Sequence, residues 1–183
     1  MLLIGIDVGM QAKNTGVALY RTTDGQYIEQ LKSGSLWDCL SWIHFLMIKG
    51  RSFDIPISPG VVLEDASLDN ASFKKSGYGY NADLKLARDA GKNQGGAIVV
   101  VQMCKALNIP CLRIAPSQRR KATKNLKTVA HLTMPTKTTK QQFKALTGYN
   151  TTKGNNEHSR DAGTLVWGMT ETEFYNRIKM QEL

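Results

Sequence analysis

Leu2-Leu3-Ile4-Gly5-Ile6-Asp7-Val8-Gly9 is nearly all aliphatic and carries one acid, placed where the apolar run ends. A strand that is apolar on successive residues, instead of alternate ones, is covered on both faces, so residues 2–8 are expected to form a central strand. The segment has no basic flank and meets an acid at position 7, which reads as a buried strand and not as a secretory leader. A carboxylate is costly to bury without a partner, so Asp7 is expected at a strand end, facing a cation.

Working outward, Gly9 to Asn14 is rich in turn formers, and Thr15-Gly16-Val17-Ala18-Leu19-Tyr20 follows as a second strand. Asp24-Gly25 is a hairpin signal, and Tyr27 to Leu31 returns as a third strand, giving an antiparallel start to a mixed sheet. Ser35 can cap a helix running to Lys49, with Leu36, Leu40, Ile43 and Met47 on one face and Gly50 as its stop. Ser58-Pro59-Gly60 reads as a break before a fourth strand, Val61-Val62-Leu63-Glu64. Asp69 to Tyr80 has no periodicity and reads as a loop. A long helix is expected from Ala82 to Leu107, ended by Asn108-Ile109-Pro110, before a last strand, Cys111-Leu112-Arg113-Ile114. Short helices are expected in the basic segment that follows, then a helix over Asn155 to Thr170 and a tail helix over Glu171 to Met180.

The net charge of +9 is concentrated. Arg113 to Lys153 holds ten Lys or Arg and no Asp or Glu, whereas the remainder sums to −1. Such a segment is either a solvated basic face or a surface for a polyanion, and its self-repulsion favours the second. No apolar run approaches the roughly 18 residues of a membrane span. Cys39, Cys104 and Cys111 form no CxxC pair and lie in or beside apolar segments, as expected of free thiols in the cytoplasm. No linker divides residues 1–183, which are expected to form one domain.

Glu64 repeats the pattern of Asp7, an acid closing the apolar run Val61-Val62-Leu63. Asp161 lies near the start of an otherwise apolar helix, and His158, three residues earlier, shares its side. A single acid of this kind is readily structural, as a cap or a dipole partner. Three acids and a histidine at the edges of separate core elements point to a metal site. Oxygen donors without thiolates suit Mg²⁺ or Mn²⁺, and two such ions about 4 Å apart can drive phosphodiester hydrolysis. Zinc is disfavoured, since no Cys/His ligand spacing exists. His158 has two readings: a ligand or proton shuttle, or a hydrogen-bond partner of Asp161.

These residues resemble the RuvC-type Holliday junction resolvases, which have an RNase H-like fold. Gly5-Ile6-Asp7-Val8-Gly9 with Thr15-Gly16-Val17-Ala18 is similar to their first motif, and Val62-Leu63-Glu64-Asp65 to their second acidic strand. Ala82-Asp83-Leu84-Lys85-Leu86-Ala87-Arg88, continuing through Gly95-Gly96-Ala97-Ile98, resembles their long interface helix, and His158-Ser159-Arg160-Asp161-Ala162 their closing motif. The likeness spans residues 2 to 168 in order. It implies an α/β fold with a five-stranded mixed sheet, three N-terminal strands antiparallel, flanked by helices. It also implies that Asp7, Glu64, His158 and Asp161 bind metal and catalyse, and that basic residues after the last strand, here Arg119, Arg120 and Lys121, contact DNA.

Lys137 and Lys140 extend that basic surface. The resemblance also implies an aromatic that wedges the junction, for which the loop after Glu64 offers Phe73, Tyr78 or Tyr80, packing within the loop being an equal alternative. A homodimeric, Mg²⁺-dependent endonuclease of branched DNA is therefore expected, in a form that differs in its basic segment from cellular resolvases. RNA or forked substrates, and a junction-binding protein without activity, are the alternatives on the same fold. An actin-like ATPase shares the first motif, but the chain offers neither a second lobe nor a second glycine-rich phosphate loop.

The long helix also carries Gly91 and Gly95 on one face, spaced for close approach of another backbone. That backbone is either a second copy of the chain or the protein's own sheet.

Overall fold

The computed structural model describes residues 1–9, 14–22, 27–52, 59–68, 79–116, 139–152 and 155–181. Strands β1 (Leu2–Asp7), β2 (Thr15–Arg21) and β3 (Tyr27–Gly34) are followed by helix α1 (Leu36–Ser52) and strand β4 (Pro59–Glu64). A short 3-10 turn (Ala66–Leu68), helix α2 (Tyr80–Ala106) and strand β5 (Cys111–Ile114) come next. Helices α3 (Lys140–Thr147), α4 (Glu157–Val166) and α5 (Glu171–Gln181) complete the described elements.

The strands form one mixed sheet in the order β3-β2-β1-β4-β5. β1 pairs antiparallel with β2 and parallel with β4, β2 pairs antiparallel with β3, and β4 pairs parallel with β5. The sheet is buried on both faces, as the unbroken aliphatic reading of β1 requires. Ile4, Ile6, Val17, Leu19, Val61 and Leu63 pack against Leu40 and Ile43 of α1 and Ala97 and Val100 of α2. The alternate residues Leu3, Ala18, Tyr20, Val62 and Leu112 pack against Phe143 of α3, Ala162 and Val166 of α4 and Phe174 of α5.

Several boundaries differ from the sequence expectation for identifiable reasons. β3 runs three residues past Leu31 to Gly34, because Lys32, Ser33 and Gly34 remain paired with Val17, Gly16 and Thr15. Helix α1 begins where expected, with Ser35 and Asp38 capping each other's orphan groups (Asp38 N to Ser35 Oγ 3.1 Å, Ser35 N to Asp38 Oδ2 3.2 Å). It passes Gly50 and ends at Ser52, since an isolated glycine weakens a helix without stopping it.

Pro59 and Gly60 belong to β4 and do not break the chain before it. A proline is tolerated as the first residue of a strand. Gly60 lies beneath the Phe174 ring, where a Cβ would stand 2.5 Å from a ring carbon. Tyr80 starts α2 instead of closing a loop. The helix expected over Asn155 to Thr170 is shorter, Glu157–Val166, followed by a turn at Trp167 and Gly168. Among the described residues no helix is long and apolar enough to cross a membrane.

Candidate active site

The sheet register sets two acids side by side. β1 and β4 are neighbouring parallel strands, and Asp7 is the register partner of Glu64 at their C-terminal ends. Asp7 keeps the phase of Leu3 and Glu64 that of Val62, so both carboxylates belong to the face that α4 covers. They are partly exposed where the sheet ends, whereas the residues before them are buried.

Two glycines let α4 reach that position. A Cβ on Gly5 would overlap the carbonyl oxygen of Ala162, and one on Gly16 would overlap the His158 carbonyl and the Ser159 nitrogen. The helix backbone therefore rests directly on β1 and β2, with no side-chain layer between. Its N-terminus is tied to β3: Asn156 accepts a hydrogen bond from Ser159 N (3.2 Å) as the N-cap and one from Ser33 Oγ (2.8 Å). Asn155 Nδ2 donates to the Leu31 carbonyl at 2.9 Å.

This seating brings the His158 imidazole to Asp7, with Nδ1 2.9 Å from Oδ2. The Asp7 and His158 side chains are 13% and 25% exposed. The hydrogen bond to Asp7 raises the imidazole pKa above its usual value; burial opposes this, and the charges of Asp7, Glu157 and Asp161 add to it. His158 thus bonds Asp7, and the charge of Asp161 also acts on it. Asp161 is 6% exposed, on the turn of α4 whose next residue, Ala162, rests on Gly5.

Oxygen donors with one imidazole fit a hard divalent cation in kind. Asp7 and Glu64 are adjacent, and His158 touches Asp7. Among the described residues, however, no three His, Cys, Asp or Glu side chains converge closely enough to hold an ion.

The acid after Glu64 has a different environment. Asp65 is buried, and its Oδ1 accepts hydrogen bonds from Ser67 N (2.8 Å) and Ser67 Oγ (2.6 Å). Its Oδ2 lies 2.7 Å from Arg113 Nε. Burial by itself raises the Asp65 pKa, but the bonds from Ser67 and Arg113 outweigh it and hold the carboxyl below its usual range. Arg113, counted in the basic segment, is therefore engaged within the fold.

Lys140 is exposed at the first turn of α3, with Lys144 exposed one turn later. Thr139 and Gln142 cap this helix reciprocally, and Phe143 seats it on α4, its ring standing 2.7 Å from where a Cβ of Gly163 would lie. Arg119, Arg120, Lys121, Lys137, Phe73 and Tyr78 lie outside the described residues.

On α2 the sheet side is Gly96, Ala97, Val100 and Cys104. Among the described residues, no atom outside the helix's own backbone comes within 4 Å of where a Cβ on Gly91 or Gly95 would be, so they do not pack on the protein's own sheet. They share a helix face with the exposed Leu84 and Ile98, 45% and 55% accessible.

Sequence reasoning missed the packing role of Gly5 and Gly16, the anchoring role of Asn155 and Asn156, and the pairing of Asp65 with Arg113. A glycine inside each of two apolar strands was the available signal for the first. The others depend on partners 48 to 124 positions away.

A mixed sheet with three antiparallel strands followed by two parallel ones, helices on both faces and acids at the central strand ends is the RNase H-like fold. Among solved structures the fold is similar to that of RuvC. The chain superimposes on Thermus thermophilus RuvC in complex with a Holliday junction substrate with a TM-score of 0.54 and 15% identity, over 98% of this chain and 96% of that one. A second Thermus thermophilus RuvC structure gives a TM-score of 0.48 at 17% identity, over 98% and 97% of the two chains. No protein-family model matches the sequence, and no curated protein matches it significantly.

Proposed function

We propose that the chain is a Mg²⁺-dependent endodeoxyribonuclease that cuts four-way or other branched DNA, acting in the cytoplasm as a homodimer of one-domain subunits. The observation that carries this reading is the register pairing of Asp7 with Glu64 at the ends of adjacent parallel strands, with His158 hydrogen-bonded to Asp7. Pure DNA binding gains nothing from carboxylates gathered where phosphate would approach, unless cations lie between them.

Asp7, Glu64, Asp161 and His158 are the proposed ligands, for two ions per site with Mn²⁺ as a substitute, and they would have to draw closer together than they stand here to hold an ion. A divalent ion held by these residues would supply an acidified water and a counter-charge for the leaving oxygen. His158 orients the Asp7 carboxylate and, as the titratable group nearest neutrality, can hold a proton beside it. The exposed Lys140 and Lys144 lie on a helix packed against α4 and are available for phosphate contacts, to which Arg119, Arg120, Lys121 and Lys137 of the basic segment would add. Phe73 or Tyr78 supplies the stacking surface at the branch point. The open face of α2 at Leu84, Gly91, Gly95 and Ile98 supplies the subunit contact.

Cleavage of four-way, forked, linear and RNA substrates with and without Mg²⁺ tests the reading. Metal-dependent cutting of branched DNA, lost in Asp7→Asn, is expected. Equal cutting of linear duplex, or cutting of RNA alone, reassigns the substrate, and junction binding without cutting makes the chain a binding protein.

A further inference from the structure

Glu64 is followed at once by a second acid that is structurally its opposite. Successive strand residues point to opposite faces, so Glu64 turns toward α4 and Asp65 away from it. On β5 the same alternation sends Leu112 and Ile114 to the α4 side and Arg113 to the other. Asp65 and Arg113 thus meet on the far face of the sheet, directly behind the strand ends that carry Glu64.

The Asp65 side chain is 1% exposed, and both carboxylate oxygens have partners: Ser67 N and Oγ on one, Arg113 Nε on the other. Arg113 Nη2 donates in turn to Ser67 Oγ at 3.2 Å. The Asp65 amide donates to the Ile114 carbonyl at 2.9 Å, carrying the β4–β5 ladder one step past Glu64. β5 has only four residues and lies at the sheet edge, where strand ends fray most readily. This cluster clamps the end of β4 to the end of β5 at the position where Glu64 must stay level with Asp7.

We infer that Asp65, with Arg113 and Ser67, is a positioning residue for Glu64: it binds neither metal nor DNA, and acts by locking the strand end from the opposite face. The inference rests on the nuclease reading given above. Outer groups that orient metal ligands typically change metal affinity by roughly 10–100-fold when removed.

The test uses the full chain and compares Asp65→Asn, Arg113→Gln, the double variant and the milder Ser67→Ala. Three quantities are measured: Mg²⁺ affinity by calorimetry, kcat and KM on a four-way junction, and amide hydrogen exchange at Glu64 and Asp65. Asp65→Asn and Arg113→Gln are each expected to weaken Mg²⁺ binding by about tenfold or more and to lower kcat, with KM for DNA little changed. The double variant should be no worse than the poorer single one, because the pair acts as a unit. Ser67→Ala should fall between these and wild type, and exchange at the two amides should accelerate in the same order.

Unchanged Mg²⁺ affinity in folded variants, activity lost only in proportion to the unfolded fraction, or additive losses would overturn the inference. A wild-type protein that neither binds Mg²⁺ nor cuts would overturn the nuclease reading. The exchange data would then still show whether Asp65 locks the strand end.

Discussion

His158 Nδ1 and Asp7 Oδ2 lie 2.9 Å apart although 151 positions separate them in the chain. One residue is on the closing helix and the other on the opening strand, so this contact depends on the whole fold. If the two act together, His158→Ala should reduce junction cleavage by roughly 10²-fold or more, within the range for a positioned acid–base group. His158→Asp should keep appreciable activity by restoring a donor for a cation. Asp7→Asn should abolish cleavage while junction affinity stays level or tightens, since a charge facing phosphate is gone. Single-turnover cleavage alongside equilibrium binding separates these outcomes, and a wild-type rate for Asp7→Asn excludes the site.

Gly16→Ala tests how α4 is seated. Its new methyl would occupy the place of the His158 carbonyl, so the helix must lift. A loss of about 1–3 kcal/mol in unfolding free energy is expected, the usual range for overpacking. Cleavage should fall further than the folded fraction accounts for, because His158 moves with the helix. Gly5→Ala should behave alike through Ala162. A fully active Gly16→Ala protein would contradict the direct contact.

The lysines of α3 offer a measurement that needs no cleavage. If Lys140 and Lys144 each contact a phosphate, replacing both by Gln lowers the slope of log K against log salt by roughly 0.9 per contact on duplex arms. Affinity should fall for every DNA shape alike, since phosphate contacts carry no sequence information. An unchanged slope would make α3 a solvated face.

Gly91→Leu and Gly95→Leu address the subunit contact. Among the described residues both positions face open space, so folding stability should change by no more than about 1 kcal/mol, with leucine the better helix former. Self-association should weaken severalfold if two α2 helices meet there. Sedimentation at micromolar concentration decides this, and a monomer, free and junction-bound, removes the homodimer reading.

Local signals made most of the fold legible. The unbroken aliphatic run of β1 and the turn formers after it announced a covered central strand and two hairpins, and Asp7 and Glu64 stood out because acids interrupt such strands. The boundaries at Gly50 and at Pro59-Gly60 were misjudged because a glycine has the same letter whether it ends an element or lies under a Phe174 ring. The contact of His158 with Asp7, the clamp at Asp65 and the docking of Asn155 on Leu31 are tertiary, and no spacing rule encodes them. Gly91 and Gly95 were readable as small residues on one face, but only the positions of Ala97 and Val100 show which face meets the sheet.

Gln181 of α5 binds both backbone groups of Arg113: the Arg113 amide donates to Oε1 at 3.1 Å, and Nε2 donates to the Arg113 carbonyl. A primary amide set this way imitates one peptide unit of a sixth strand. The outer rim of β5 is thereby closed to an incoming β-segment at that residue, just as Asn155 occupies the Leu31 carbonyl on the opposite rim. Strand-to-strand fusion of two sheets is therefore obstructed at one residue on each margin. Shortening the chain before Gln181 would uncover a template for aggregation, even though the residues lost lie far from Asp7 in sequence.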